Sequence, residues 1–201
     1  MTLLSKDGLD VFAVPQPSHA WQCAFQDGGV AAWRAKCYEQ RGGRIEGRKR
    51  VLVGQLALIA AALFTGAAVY VSVAEQPARL ALDDRASLAE WKAAYQRGFA
   101  MQGPLAIIGF SLGLIAASAE MDWRWVAGAF MLLANWPFTL IAILPTNKHL
   151  MAIAPQNAGP KSRELIRVWG RLHAMRSGLG ATATVLFLWA SIQAWLAASL
   201  Q

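Results

Sequence analysis

Apolar residues fall in four long blocks, separated by short polar interruptions. The first block runs from about residue 51 to 75 and is expected to end at Pro77, which has no amide proton to continue a helix. Some twenty apolar residues are enough to cross roughly 30 Å of hydrocarbon. Residues 83–99 follow a different rule. Asp83 and Asp84 are helix-starting residues, and Leu88, Trp91, Tyr95 and Phe99 then recur at spacings of three and four. Charged Arg85, Glu90, Lys92 and Arg97 fill the gaps, which predicts an amphipathic helix lying at the membrane surface between spans one and two. The second span is expected over about 100–119, with a very short turn at Glu120 and Asp122. The third covers about 123–144, bends at Pro137 and is closed by Pro145. A polar loop, 146–162, leads to a long last helix over about 162–200, charged for three turns and apolar from Ser177. The fold class is therefore all-α: an integral membrane four-helix bundle with an interfacial helix.

Residues 1–50 show no sustained periodicity and no basic stretch followed by an apolar one, so they carry no signal-peptide pattern. They read as a polar N-terminal extension, peripheral or flexible, before a transmembrane domain at 51–201. A helical turn or two is expected at 31–38. Ile45-Glu46-Gly47-Arg48 spells a protease site common in engineered linkers. An engineered scar, chance, and translation that begins near Val51 or Val53 all stay open, and each makes the segment peripheral.

Composition agrees with the pattern. Of 201 residues, 56% are hydrophobic and 15% charged, against roughly 25% charged in a soluble domain. The formal charge of +7 bears on topology and anionic headgroups, and no nucleic-acid partner is expected. Arg41, Arg44, Arg48, Lys49 and Arg50 form a basic flank to the first span. Cys23 and Cys37, with only His19 nearby, lack zinc-site spacing and are expected to be free thiols. Trp123, Trp125, Trp189 and Trp195 are expected at one bilayer edge, and Trp91 and Trp169 at the other.

Four antiparallel spans gather polar residues at one end: Ser72, Glu75 and Arg79 from the first, Gln102 from the second, Thr139, Thr146 and Asn147 from the third, and Arg171, His173, Arg176 and Ser177 from the fourth. Ionisable groups near hydrocarbon are costly and usually face the bundle interior or water. Helical spacing puts Trp169, His173, Arg176, Ser177, Gly180 and Thr184 on one face, beside a Gly170, Ala174, Gly178 stripe suited to close helix contact. One reading makes His173 a packing residue bonded to Glu75. The other makes it chemical. No metal or other cofactor is expected, since His149 and His173 are the only bundle histidines and no ligand spacing accompanies them.

Several stretches carry a family likeness: Glu75-Gln76-Pro77-Ala78-Arg79, the run from Trp91 to Gln102, Trp136-Pro137-Phe138-Thr139, Pro145-Thr146-Asn147, and Trp169-Gly170-Arg171-Leu172-His173 with Arg176. Together they resemble the anthrone oxygenase-like family of small four-helix membrane proteins, over about residues 51–197. The resemblance implies a possible oxidation of anthrones to anthraquinones, the activity of named fungal members; most bacterial members have no assigned role. An anthrone has an acidic C–H, so a base and oxyanion donors are what the chemistry asks for. His173 is assigned as base, oriented by Glu75, with Arg176 and Asn147 stabilising the enolate. Trp91, Trp169, Thr146 and Gln102 are assigned to substrate binding. The partners are then the lipid bilayer and a hydrophobic aromatic small molecule. The alternative is a non-catalytic scaffold, chaperone subunit or small permeability factor. The location expected is a bacterial inner membrane, with the polar end on the cytoplasmic side.

Overall fold

The computed structural model describes residues 30–199. Expectations for residues 1–29, His19 and Cys23 among them, lie outside the described residues, as does the side chain of Cys37. The chain divides into two compact units, Met1–Gly47 and Arg48–Gln201. The apolar blocks all lie in the second unit.

Four helices there are long and apolar enough to cross a membrane: Lys49–Ala81, Asp84–Glu120, Trp123–Ala152 and Pro160–Ala197. Among the described residues every element is helical. Helical structure starts well before the expected first span, in one helix over Val30–Tyr70. Pro77 does not stop this helix, nor does Pro145 stop the third. Each proline is preceded by a single π-helical turn, Val71–Glu75 and Thr139–Ile143. The Gln76 N–H reaches back to Val71 O, and the Leu144 N–H to Thr139 O, one residue further than in an α-helix. Each proline thereby falls in the first turn of a fresh helical segment, Gln76–Ala81 or Leu144–Ala152, where a missing N–H is harmless. The extra residue also rotates the next segment by about 100°. The polar residues after each π turn face the bundle because of it.

Pro137 interrupts the third helix at Ala134. Beside the break the Asn135 side chain donates to the carbonyls of Met131 (3.3 Å) and Leu132 (3.1 Å). At the opposite end of the bundle the turn is two residues long. Met121 takes the left-handed conformation at φ 54°, and Asp122 accepts the Arg124 N–H at 2.9 Å.

The expected surface helix at 83–99 is not a separate element. Asp84–Glu120 is one 37-residue helix, roughly 55 Å at 1.5 Å per residue, so it extends well past a 30 Å hydrocarbon layer. Its start is capped by Asp83, whose carboxylate accepts the N–H groups of Ala86 (2.9 Å) and Arg85 (3.0 Å). The Ala86 bond leads in holding that carboxyl below its ordinary range. The amphipathic face meets protein rather than lipid. Leu88 and Trp91 are fully buried with Ile143, Leu150, Ile166 and Trp169, a second core at the polar end. Cations close this head. Lys92 donates to the carbonyls of Met151 (3.0 Å) and Ile153 (2.6 Å) at the end of the third helix. Arg163 pairs with Asp84 and donates to Leu80 O at 2.7 Å. Both occupy the carbonyl-rich C-terminal ends of helices, where positive charge is favoured.

The membrane core is built from small residues, Ala57, Ala61, Ala106, Ala116, Ala129, Ala183 and Ala190, around Phe64, Leu132, Trp125 and Phe187. Apolar driving force between helices is weak in lipid, so close backbone approach and dispersion must hold them. Gly113 and Gly128 make room for Phe187, and Gly54 for Trp125. Trp125 is thus a core residue, 1% exposed, with its indole N–H on Glu120 at 3.0 Å, not a member of the interfacial belt. Trp123 and Trp189 do meet at that edge, with ring centroids 6.0 Å apart. The expected Gly170, Ala174, Gly178 stripe is not the seam. Ala174 and Gly178 are exposed, and a Cβ at Gly178 would meet nothing within 4 Å. The seam runs through Gly170, His173, Ser177 and Gly180, because Gln76 fills the space over Gly170 and Phe64 that over Gly180.

Candidate functional site

The polar ends of the four helices enclose a cavity of about 580 Å³, within the size range of small-molecule sites. The first span brings Tyr70, Val71, Glu75 and Arg79 to it. The second helix contributes Tyr95, Phe99 and Gln102, the third Thr139, Ile143 and Asn147, and the fourth Trp169, His173 and Arg176. The sets from the second, third and fourth helices repeat at three or four residues, one helical face apiece, and Val71, Glu75 and Arg79 do the same on the first. Six of the assigned residues therefore come together here: Glu75, Gln102, Asn147, Trp169, His173 and Arg176.

Two do not. Trp91 is fully buried behind the cavity wall, stacked on Tyr95 with centroids 5.1 Å apart and edge-on to Trp169 at 5.9 Å. Its helical face rather than its depth keeps it off the lining, since Glu90 and Ala94 on either side of it reach the cavity, as does Tyr95. Thr146 is half-buried and off the lining, because Thr139, Ile143 and Asn147 share the inward face and Thr146 points about 100° away from Asn147.

His173 is not oriented by Glu75. Its Nδ1 lies 3.2 Å from Ser72 Oγ. Ser72 also donates to Ala68 O at 3.0 Å and meets Ser177 Oγ at 3.0 Å. A hydroxyl has one proton. With that proton on the Ala68 carbonyl, Ser72 accepts from Nδ1–H, which leaves the lone pair of the imidazole on Nε2. Trp169 stacks against the ring, 4.9 Å between centroids.

Glu75 instead holds Arg79. That guanidinium is 2% exposed, pairs with both Glu75 and Glu90, donates to Gln76 Oε1 at 2.8 Å and lies 5.4 Å from the Trp169 ring centre. Gln76 in turn donates to Ile166 O at 2.9 Å. Arg79 thus ties the first, second and fourth helices together. Its signal in the sequence was an arginine just past a proline, four residues after a glutamate. Ser72 is legible as one of the polar residues at that end and Tyr95 as part of the amphipathic face, whereas Glu90 is visible only as a filler of its helix.

Arg176 has the opposite surroundings. It is 8% exposed, its Nε has no hydrogen-bond partner, and among the described residues no carboxylate pairs with it. Its guanidinium lies 5.1 Å from the Phe64 ring centre. Both side-chain polar atoms of Asn147 and the Oε1 of Gln102 are also buried and unpartnered. Buried polar groups are nearly always hydrogen-bonded, and these line the cavity, where a water or a ligand can meet them. The set combines an imidazole, a guanidinium and amide groups along an aromatic wall.

The family model described as anthrone oxygenase matches residues 91–186. Over that stretch, just under half of its length, the chain is similar to anthrone oxygenase. The match takes in the cavity-lining parts of the third and fourth helices and those of the second except Glu90, and it leaves Ser72, Glu75 and Arg79 outside. No curated protein and no solved structure matches the chain.

Proposed function

We propose that the protein is a membrane-embedded oxygenase that oxidises a flat phenolic or ketonic substrate of the anthrone type with dioxygen, using no cofactor. The observation that carries this is the pairing, one turn apart on one helix, of His173 with an uncompensated buried Arg176 in the same cavity. A carbon acid next to a carbonyl needs those two groups: a base for the proton and a positive charge where the oxyanion develops.

In this reading His173 Nε2 takes the benzylic proton, and the electron pair moves onto the carbonyl oxygen beside Arg176 and Asn147. The electron-rich enolate reduces dioxygen and forms a C–O bond, giving a hydroperoxide once protonated. Loss of the second benzylic proton, with cleavage of the O–O bond, leaves a carbonyl and water. One anthrone and one dioxygen become one anthraquinone and one water. Trp169 and Tyr95 flank the flat ring system, and Gln102 offers an acceptor to a phenolic hydroxyl.

The decisive experiment measures dioxygen consumption by purified protein with an anthrone. His173→Gln keeps size and hydrogen bonding but cannot accept a proton at neutral pH, so turnover should fall by about 100-fold or more in a protein that still melts near the wild-type temperature. Wild-type turnover in the variant removes His173 as the base. No turnover in the wild type leaves the scaffold alternative. We also assign the polar end to the cytoplasmic side of a bacterial inner membrane. Nine Lys/Arg support it (Arg79, Arg85, Lys92, Arg97, Lys148, Lys161, Arg163, Arg167 and Arg171), against Arg124 in the opposite turn; the basic flank Arg41, Arg44, Arg48, Lys49 and Arg50 before the first span pulls the other way.

A further inference from the structure

We infer that the cavity draws its ligand sideways from the bilayer, between the first and second spans, and that this ligand is a lipophilic aromatic monoanion whose charge completes Arg176. The inference deepens the proposed function by naming the ligand class and its route, and rests on that reading only for the choice of site.

The route is set by what closes each side. Toward the head, Arg79 is held by Glu75 of the first span and Glu90 of the second helix, so the two helices are tied together there. Below that tie the lining continues as Ala67 and Tyr70 on one side and Gly98 and Met101 on the other. Tyr70 is 64% exposed and Met101 51% exposed. Large apolar side chains exposed on membrane-spanning helices face lipid, so the mouth opens onto acyl chains. Arg97, exposed and also part of the lining, sits at its head-ward edge. A mouth with a cation above and apolar flanks below suits a molecule that lies in the interface with its charge outward.

The charge is set by the lining. It holds three guanidinium groups, Arg79, Arg97 and Arg176, against two carboxylates, Glu75 and Glu90. Both carboxylates are spent on Arg79. One excess positive charge remains, and Arg176 is the buried cation without an anion. A burial of that kind is expensive unless a partner arrives, and a phenolate or carboxylate is the partner a guanidinium fits best.

The test is binding, not turnover. The protein is placed in lipid nanodiscs, and two fluorescent probes of the same size are titrated in: anthracene-9-carboxylate and the neutral anthracene-9-methanol. The carboxylate should bind about tenfold or more tightly than the alcohol, and Arg176→Gln should abolish that preference. Equal affinity of the two probes for the wild type overturns the anionic class whether or not the variant folds. For the route, a Cβ at Gly98 meets nothing within 4 Å, so Gly98→Trp can fold while it plugs the mouth; Gly98→Leu serves where Trp does not fold. Stopped-flow association should slow by about tenfold or more, as expected where access to a site is obstructed. An unchanged association rate overturns entry between these helices. Retained anion selectivity without dioxygen consumption would count against the oxygenase reading and leave this one standing.

Discussion

Ser72 Oγ lies 3.2 Å from His173 Nδ1, across the seam between the first span and the fourth helix. Ser72 is held in turn by the Ala68 carbonyl and Ser177. The imidazole is therefore fixed by a neutral hydroxyl and not by a carboxylate, and its tautomer depends on where the serine proton goes. Ser72→Ala removes the acceptor for Nδ1–H and leaves a buried donor unpaired, a loss of about 1–3 kcal/mol. Nitrogen NMR of labelled His173 should show Nδ1–H in the wild type and a mixed tautomer in Ser72→Ala. Turnover should drop about tenfold, the size of one lost hydrogen bond. An unchanged tautomer would mean that Ser72 only packs.

Arg176 should be a liability to the empty protein. Replacing it with methionine keeps much of the volume and removes a buried cation that no carboxylate offsets. Arg176→Met is expected to be more stable than wild type by about 1–3 kcal/mol, as with other buried charges exchanged for apolar groups, while losing anion binding. Detergent-solubilised melting temperature and probe binding, measured on one preparation, decide it. A large fall in melting temperature would give Arg176 a structural role.

Two glycines two residues apart on the last helix should respond oppositely. A Cβ at Gly180 would lie 2.8 Å from the Phe64 ring and 2.9 Å from Thr65 Oγ1. Gly180→Ala should therefore destabilise by about 1–3 kcal/mol through overpacking. A Cβ at Gly178 meets open space, so Gly178→Ala should be neutral or gain up to about 1 kcal/mol of helix propensity. Thermal melting of the pair tests where the seam lies. Equal losses at both would restore the Gly170, Ala174, Gly178 stripe.

Gln156 is exposed in the short 3-10 turn Pro155–Asn157 at the polar end. With Cys23 and Cys37 replaced, Gln156→Cys should resist a membrane-impermeant thiol reagent in intact cells and label after lysis, as cytoplasmic placement requires. Ready labelling in intact cells would put the polar end outside.

Much of this protein was fixed by local pattern. Four apolar blocks of sufficient length leave little choice but four membrane-crossing helices, because backbone groups in hydrocarbon must be paired within their own helix. The inward faces of the last three helices could also be read, since residues three and four apart share a face in any α-helix. That is how His173, Arg176, Asn147 and Gln102 were found, with the Trp169 wall beside them.

The remainder depended on which residues meet across helices, and no spacing rule contains that. Pro77 and Pro145 read as stops because a proline breaks the α-helical ladder; a π turn before each lets the helix go on and re-aims Arg79 and Asn147. Trp91 and its amphipathic face read as a membrane-surface helix, because a sequence cannot say whether protein or lipid covers an apolar stripe. Here the ends of the third and fourth helices cover it. Glu75 was the natural partner for His173 by charge, yet Arg79, four residues on along its own helix, is nearer and takes it. Only the packed bundle leaves Ser72 beside the imidazole and Arg176 without an anion, and the proposed chemistry turns on those two facts.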